Sequence, residues 1–409
     1  MSIYRRYIQT YSGLTTGAWM LSLVMLINRT GSMVIPFLSI YLKSELKLGL
    51  EQVGIILGMH GLGSLTGVWT GGWLTDKFGS YPVQLASLIL SGVGFLILMQ
   101  LTSFIHLALG FFAVTAAADI FRPANASALT SYVKPENLTK AFSLNRMAIN
   151  MGFALGPAIG GFLAATSYSL IFIADGATCI IAAVVFGIFF WKYEKKGSDD
   201  KIEASERTTP ALSPFRDKSF LFFCLYSFIF AAVFFQFIFT LPLFYREVCA
   251  LSETYIGWIL GFNGGVVFLL EMPIVHRASR LYQLKKLLLW GNLICGLSFL
   301  VLGISNLLVV LFLGMFLLSI SEILIMPFLT TYTAQRGTKA TRGKYLGTHG
   351  MAYSLALIAA PLIGTFTIDH FGYNTLWYVL FALSLVAAVG FYFNINRSDT
   401  ASLALKAKL

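Results

Sequence analysis

Charge is what this chain has little of. Asp, Glu, Lys and Arg make up 11% of its 409 residues, against about a quarter in soluble domains. Hydrophobic residues make up 57%, and the mean hydropathy is +0.77. Too few polar side chains remain to clothe the chain in water, which excludes a soluble or disordered protein. Cysteine is scarce as well. Cys179, Cys224, Cys249 and Cys295 lie far apart, three of them in apolar runs, which excludes a disulfide framework and a cysteine metal site. The five histidines show no ligand spacing, so neither metal nor cofactor is expected. No Gly-Lys-Ser/Thr phosphate loop and no nucleophile elbow occur, which argues against ATP drive and hydrolysis and against an enzyme.

What is present is a succession of apolar stretches, over 17–42, 52–74, 82–101, 104–132, 141–166, 168–191, 218–245, 254–275, 284–305, 307–334, 345–368 and 373–394. About 20 apolar residues cross roughly 30 Å of hydrocarbon, so the fold class is an all-α membrane protein with twelve transmembrane helices. Arg5 and Arg6 precede the first stretch without a small-residue cleavage site, so that stretch is a span and not a removable signal. The net charge of +11 follows topology. With both termini cytoplasmic, 23 of the 29 basic residues fall on inside segments, and only Lys43, Lys47 and Arg246 fall outside, as the positive-inside rule requires. Nucleic acid is not implied.

The charged segment 192–217, with Pro210 and Pro214, reads as a cytoplasmic linker between halves 1–191 and 218–409. The halves are duplicated. An offset of 203 puts Gly54 and Gly58 on Gly257 and Gly261; an offset of 204 puts Pro123 on Pro327, Pro157 on Pro361 and Gly160 on Gly364. This predicts two pseudo-symmetric six-helix bundles with a site at their junction. Small residues recur every fourth position in four spans: Gly63, Gly67 and Gly71; Gly152, Gly156 and Gly160; Gly257, Gly261 and Gly265; Ala356, Ala360 and Gly364. Such ridges serve static packing in many membrane helices, but four at repeat-related positions predict smooth faces on which the bundles rock.

Motifs carry a family resemblance. GGWLTDKFG at 71–79 resembles the loop signature of the major facilitator superfamily, with Gly72, Asp76, Lys77 and Gly79 matching and the usual following basic pair replaced by Ser80, Tyr81 and Pro82. GFALGPAIGG at 152–161 is similar, through Gly152, Gly156, Pro157, Gly160 and Gly161, to the fifth-span pattern of that superfamily's twelve-span drug:proton antiporters, the multidrug efflux type. FRPANASA at 121–128 keeps their fourth-span arginine as Arg122, with Asn125 and Ala126 in place of Gln and Gly. The resemblance implies the major facilitator fold and alternating access. It implies a cytoplasmic latch at Asp76 and Lys77, and a Gly-Pro stretch shaping the seam between bundles. HRASRLY at 276–282 has Ser279 where Asp76 would fall, so the second latch is degenerate.

Charges within apolar spans cost a few kcal/mol or more unless paired or hydrated and therefore point to function. Arg29 lies in span one, Asp119 and Arg122 in span four, Arg146 at the inner start of span five, Glu271 toward the inner end of span eight and Glu322 in span ten. Asp119 and Arg122 share a helix face. The family fold brings spans one and four together, so Arg29 with Asp119 is the expected pair. No basic residue lies in the span of Glu322. Burial disfavours a carboxyl's charged form, so Glu322 is the first expected proton carrier, Asp119 the second and Glu271 the third. Arg29, Arg122, Arg146, Asn150, Gln236 and Tyr332 are the expected polar lining of the substrate cavity. His60 is read as an interface histidine.

The function expected is a proton-driven antiporter that exports amphipathic small molecules through a bacterial inner membrane as a monomer, its partners being cargo, protons and the bilayer. Three readings stay open beside it: a proton-coupled symporter of peptides, sugars or organic anions, suited by three intramembrane arginines; a lipid or lysolipid flippase; and a transporter-like receptor.

Overall fold

The structure is a computed structural model describing residues 13–133, 137–194, 213–337 and 341–395. The basic residues Arg5, Arg6, Lys134, Lys339, Arg397, Lys406 and Lys408, and most of the linker, lie outside the described residues.

Helices account for nearly all described residues, and no strand occurs among them. In chain order they are α1 (Thr16–Thr30), α2 (Val34–Ile40) continuing into a π turn (Tyr41–Glu45), α3 (Leu50–Phe78), α4 (Ser80–Leu98), α5 (Phe104–Asp119), α6 (Phe121–Tyr132), α7 (Leu138–Thr166) and α8 (Tyr168–Glu194). After a 3-10 turn (Pro214–Arg216) follow α9 (Lys218–Phe234), α10 (Gln236–Phe239), α11 (Leu241–Glu247), α12 (Glu253–Leu281), α13 (Leu284–Leu302), α14 (Leu308–Arg336) and α15 (Arg342–Asn394). Eleven segments are long and apolar enough to cross a membrane. All twelve stretches read from the sequence are helical, but the last two are continuous in α15, interrupted only at Gly372, whose φ of 80° and ψ of 173° are not helical. Chain continuity across one residue, not loss of a stretch, brings the number to eleven.

Segments that read as single apolar runs are broken in places. The first is α1 and α2, divided at Gly31–Met33; the fourth is α5 and α6, divided at Ile120; the seventh is α9, α10 and α11. Thr15 starts α1 by accepting from the Ala18 N–H (3.3 Å) and donates to the Tyr132 carbonyl at the end of α6 (2.8 Å). Gly79, with φ 86°, turns α3 into α4 in one residue, a backbone conformation in which glycine alone is unstrained.

The chain forms two compact units. The first comprises 1–46, 59–202 and 252–264. Its core joins Leu21, Val24 and Met25 of α1 to Phe121 and Leu129 of α6 and to Phe186 and Phe190 of α8. The second comprises 47–58, 203–251 and 265–409. Its core is aromatic: Phe223 packs on Tyr332 at 4.6 Å and on Phe391 at 5.4 Å, and Trp377 stacks on Phe299 at 5.8 Å. Large apolar side chains also point outward, among them Trp69 at 78%, Val309 at 80% and Phe393 at 76% exposure. In water these would be patches for association; on hydrophobic helices they are the lipid face.

Candidate functional site

The site is built in the first unit by the glycine ridge of α3. A Cβ added at Gly63, Gly67 or Gly71 would lie 3.1, 3.0 or 2.8 Å from the Cα of Phe112, Ala116 or Ile120. The ridge therefore packs on α5 and its junction with α6 inside the unit. It is not one of the faces on which bundles would slide, because its close approach is already filled by backbone. That approach brings side chains at i and i+4 of one helix opposite those of the other. His60 Nδ1 and Thr115 Oγ1 are 2.7 Å apart, and the Ser64 hydroxyl donates to Asp119 Oδ2.

Asp119 is 5% exposed and ends α5. Its Oδ1 receives Arg122 Nε at 2.9 Å. The partner is thus Arg122 and not the expected Arg29: the two residues stand three apart across the α5–α6 break, where one helical turn aligns them. Arg29 is near enough for its charge to feel Arg122, Asp119 and the Cys179 thiol, yet it makes no ion pair with Asp119.

Arg29 occupies the last turn of α1, beside the break in span one. Three features fix that break. Asp175 of α8, 1% exposed, accepts the backbone N–H groups of Met33 (2.9 Å), which is shared with the Gly31 carbonyl, and of Val34 (3.0 Å) at the start of α2. Thr178 Oγ1 fills the space over Gly31. The α7 ridge runs along the joint: a Cβ at Gly152 would lie 2.9 Å from the Arg29 carbonyl carbon, one at Gly156 3.1 Å from the Thr30 oxygen and one at Gly160 2.9 Å from Met33 Cβ. Sequence reasoning missed Asp175, although an Asp inside the run 168–191 was the signal.

The Gly-Pro stretch therefore has two jobs. Gly152, Gly156 and Gly160 clasp the α1–α2 joint, whereas Gly161 lies against α12, where its Cβ would sit 2.8 Å from Gly257 Cα, and the Pro157 carbonyl faces Gly257. The repeat counterpart lies in the second unit. Gly54 and Gly58 of α3 face the Pro361 and Ile358 carbonyls of α15, at 3.5 and 3.7 Å from an added Cβ. The duplication read from the sequence is thus expressed as matched contacts.

In the second unit Glu322 is half-buried on α14, and its charge reaches the Tyr353 phenol of α15. Glu271 is 8% exposed on α12. Two expected cavity residues are placed otherwise. Gln236 is fully buried, donating to the Ala360 carbonyl (2.8 Å) and accepting from Thr240 (2.8 Å), beneath Gly364. Its amide bridges α10 to α15, because the interrupted helix leaves polar backbone that apolar side chains cannot satisfy. Tyr332, 3% exposed, packs on Phe223 and accepts from Arg336 (3.2 Å). Arg146 is exposed and Asn150 half-buried on α7.

The latch residues lie on the surface. Asp76 and Lys77 are exposed; Lys77 Nζ stands 5.0 Å above the Trp73 ring, Gly79 forms the turn and Gly72 meets no atom within 4 Å. Among the described residues Asp76 makes no ion pair. A stronger ionic contact occurs where sequence reasoning did not look. Asp217 caps α9 through the Phe220 N–H (3.1 Å), receives Arg336 Nε (2.9 Å) and Nη2 (3.2 Å), and accepts from the Tyr345 hydroxyl (3.3 Å). Burial alone would raise its pKa, but Arg336, the Phe220 N–H and the Tyr345 hydroxyl together hold the carboxyl below the ordinary range.

Residues 19–283 and 249–408 match the profile described as Major Facilitator Superfamily. The uncharacterized MFS-type transporter YqjV of Bacillus subtilis (strain 168) is 25% identical over 380 residues, 88% of this chain and 88% of that protein. Multidrug resistance protein MdtH of Klebsiella pneumoniae (strain 342) is 26% identical over 334 residues, 79% of this chain and 80% of that one. A solved POT family transporter in complex with 5-aminolevulinic acid aligns with TM-score 0.76 at 14% identity over 91% of this chain and 94% of that one, a likeness of fold.

Proposed function

From the premise that the chain belongs to the major facilitator superfamily, and is a multi-pass membrane transporter and not an enzyme, we propose a proton-coupled antiporter. It exports amphipathic small molecules by alternating access through the inner membrane of a bacterium, as a monomer with both termini cytoplasmic. Twelve spans, with Gly372 dividing the last two, form the two six-helix bundles.

One observation carries this reading: Asp119, buried within a span, is joined to α3 by Ser64 and to α6 by Arg122. A proton arriving on Asp119 removes the ion pair and loosens α6 from α5; its departure restores them. Proton and cargo then bias one conformational equilibrium in opposite directions, which is the condition for exchange. We rank Asp119 ahead of Glu322 and Glu271 as the carrier, a choice supported by its two oxygens reaching α3 and α6 from the end of α5.

The test is transport by purified protein in proteoliposomes under an imposed pH gradient, with lipophilic cations, organic anions and peptides as cargo. Cargo moving against the proton flow is the expected result; accumulation along it would replace antiport with symport. Asp119→Asn should abolish uphill transport and spare passive exchange, and Glu322→Gln should act more weakly. Undiminished uphill transport in Asp119→Asn would remove it from the scheme.

A further inference from the structure

The first unit holds one intramembrane cation, Arg29, that no carboxylate of the described residues contacts. Both oxygens of Asp119 are engaged, Oδ1 by Arg122 and Oδ2 by Ser64. Asp175 spends its carboxylate on the Met33 and Val34 N–H groups. His60 is bound to Thr115. Among the described residues, the Arg29 guanidinium has no hydrogen bond and no ion pair; Arg122 repels it and Asp119 attracts it only from a distance. A guanidinium that no carboxylate touches thus stands in a segment that crosses hydrocarbon, where an unpaired cation is costly.

The base of Arg29 is held firmly. It lies in the last turn of α1, against Gly152 and Gly156 of α7, and the carbonyl end of α1 favours a cation. A guanidinium is a planar fork of donors that matches an oxyanion in two parallel hydrogen bonds, which an ammonium cannot do. Resting on the transporter reading above, we infer that Arg29 is the docking point for a carboxylate carried on an apolar body, so that the cargo is an amphipathic organic acid. The cargo carboxylate supplies the counter-charge that Asp119 gives to Arg122.

The experiment is equilibrium binding to the purified full-length protein in lipid nanodiscs without any gradient, with three probes of one shape: 1-naphthylacetate, 1-naphthylacetamide and (1-naphthylmethyl)trimethylammonium. The acid should bind about tenfold more tightly than the amide, the span of one charge-assisted contact, and the ammonium most weakly. Arg29→Gln should bring the acid down to the level of the amide without changing the amide; Arg29→Lys should retain part of the preference. Asp119→Asn should tighten acid binding, because it removes the competing negative charge, a direction that simple loss of packing does not produce. Acid binding that is absent, no tighter than the amide, indifferent to Arg29→Gln or weakened by Asp119→Asn overturns the inference. Proton-coupled flux of other cargo would then leave the transporter reading standing. Conversely, an acid preference lost with Arg29 supports the inference even if no pH gradient drives transport.

Discussion

The joint in span one depends on Asp175, and removing its carboxylate should open that joint by a calculable amount. Met33 and Val34 are backbone donors where the turn at Gly31–Met33 interrupts the helical ladder, and Asp175 accepts from them at 2.9 and 3.0 Å. Hydrogen bonds to a charged group are worth about 1.5–3 kcal/mol each. Asn offers one acceptor and turns an NH2 group toward the second N–H, so Asp175→Asn should cost the joint about 2–3 kcal/mol. That raises the open population roughly 30–150-fold. Asp175→Ala leaves the Val34 N–H unmet, leaves Met33 only the Gly31 carbonyl and opens a void, about 3–5 kcal/mol. Cys179 reports on this directly. It lies one turn beyond Asp175, is 4% exposed and is contacted by Asn28 of α1 at 3.5 Å. In a chain whose other three cysteines are replaced by alanine, N-ethylmaleimide should label Cys179 slowly in the parent, faster in the Asp175→Asn variant and fastest in the Asp175→Ala variant. Equal rates in all three would refute the reasoning.

Other perturbations test other parts. Gly67→Leu wedges α3 from α5 and should cost about 1–3 kcal/mol by overpacking, seen as a lower melting temperature in detergent together with lost transport; a stable, active variant would deny that the ridge sets up the Ser64–Asp119 contact. Asp217→Asn should destabilise the second unit by about 1–2 kcal/mol, since one partner of a partly exposed charged pair is removed. The folded pKa of Asp217 lies below its unfolded value, so this contribution is present above about pH 4 and disappears as pH falls through the folded value. The melting temperatures of parent and variant should differ by a constant amount from about pH 8 to 5 and converge only in stronger acid. Gly372→Ala should cost about 1–2 kcal/mol because its φ of 80° is strained for any side chain; no change on thermal unfolding would mean that the joint straightens freely.

The helical stretches were legible because hydrocarbon imposes a length that composition alone reveals. The breaks were not: Gly31–Met33 and Ile120 interrupt runs whose hydropathy is continuous, and what divides them is a distant partner such as Asp175. The matched contacts of Gly257 with Pro157 and Gly54 with Pro361 were latent in the offsets of 203 and 204. Asp119 could be picked out as a charge in an apolar run, but its partner could not. Arg29 and Arg122 were both candidates, and the helix register at Ile120 decided between them. Gln236 and Tyr332 misled because a polar group in a span serves either cargo or a neighbouring backbone, and only the packing at Ala360 and Arg336 distinguishes the two.

Single-glycine corners at Gly79 and Gly372 have a practical corollary. A corner without slack couples its two arms like a bent lever: whatever tilts α3 drags α4 with it, and the segments of α15 before and after Gly372 swing together. Nor has either corner a connecting residue to spare for an epitope or fluorophore. Probes meant to follow the working cycle belong instead at Thr102–Ser103 or Ser305–Asn306, where several extended residues separate one helix from the next.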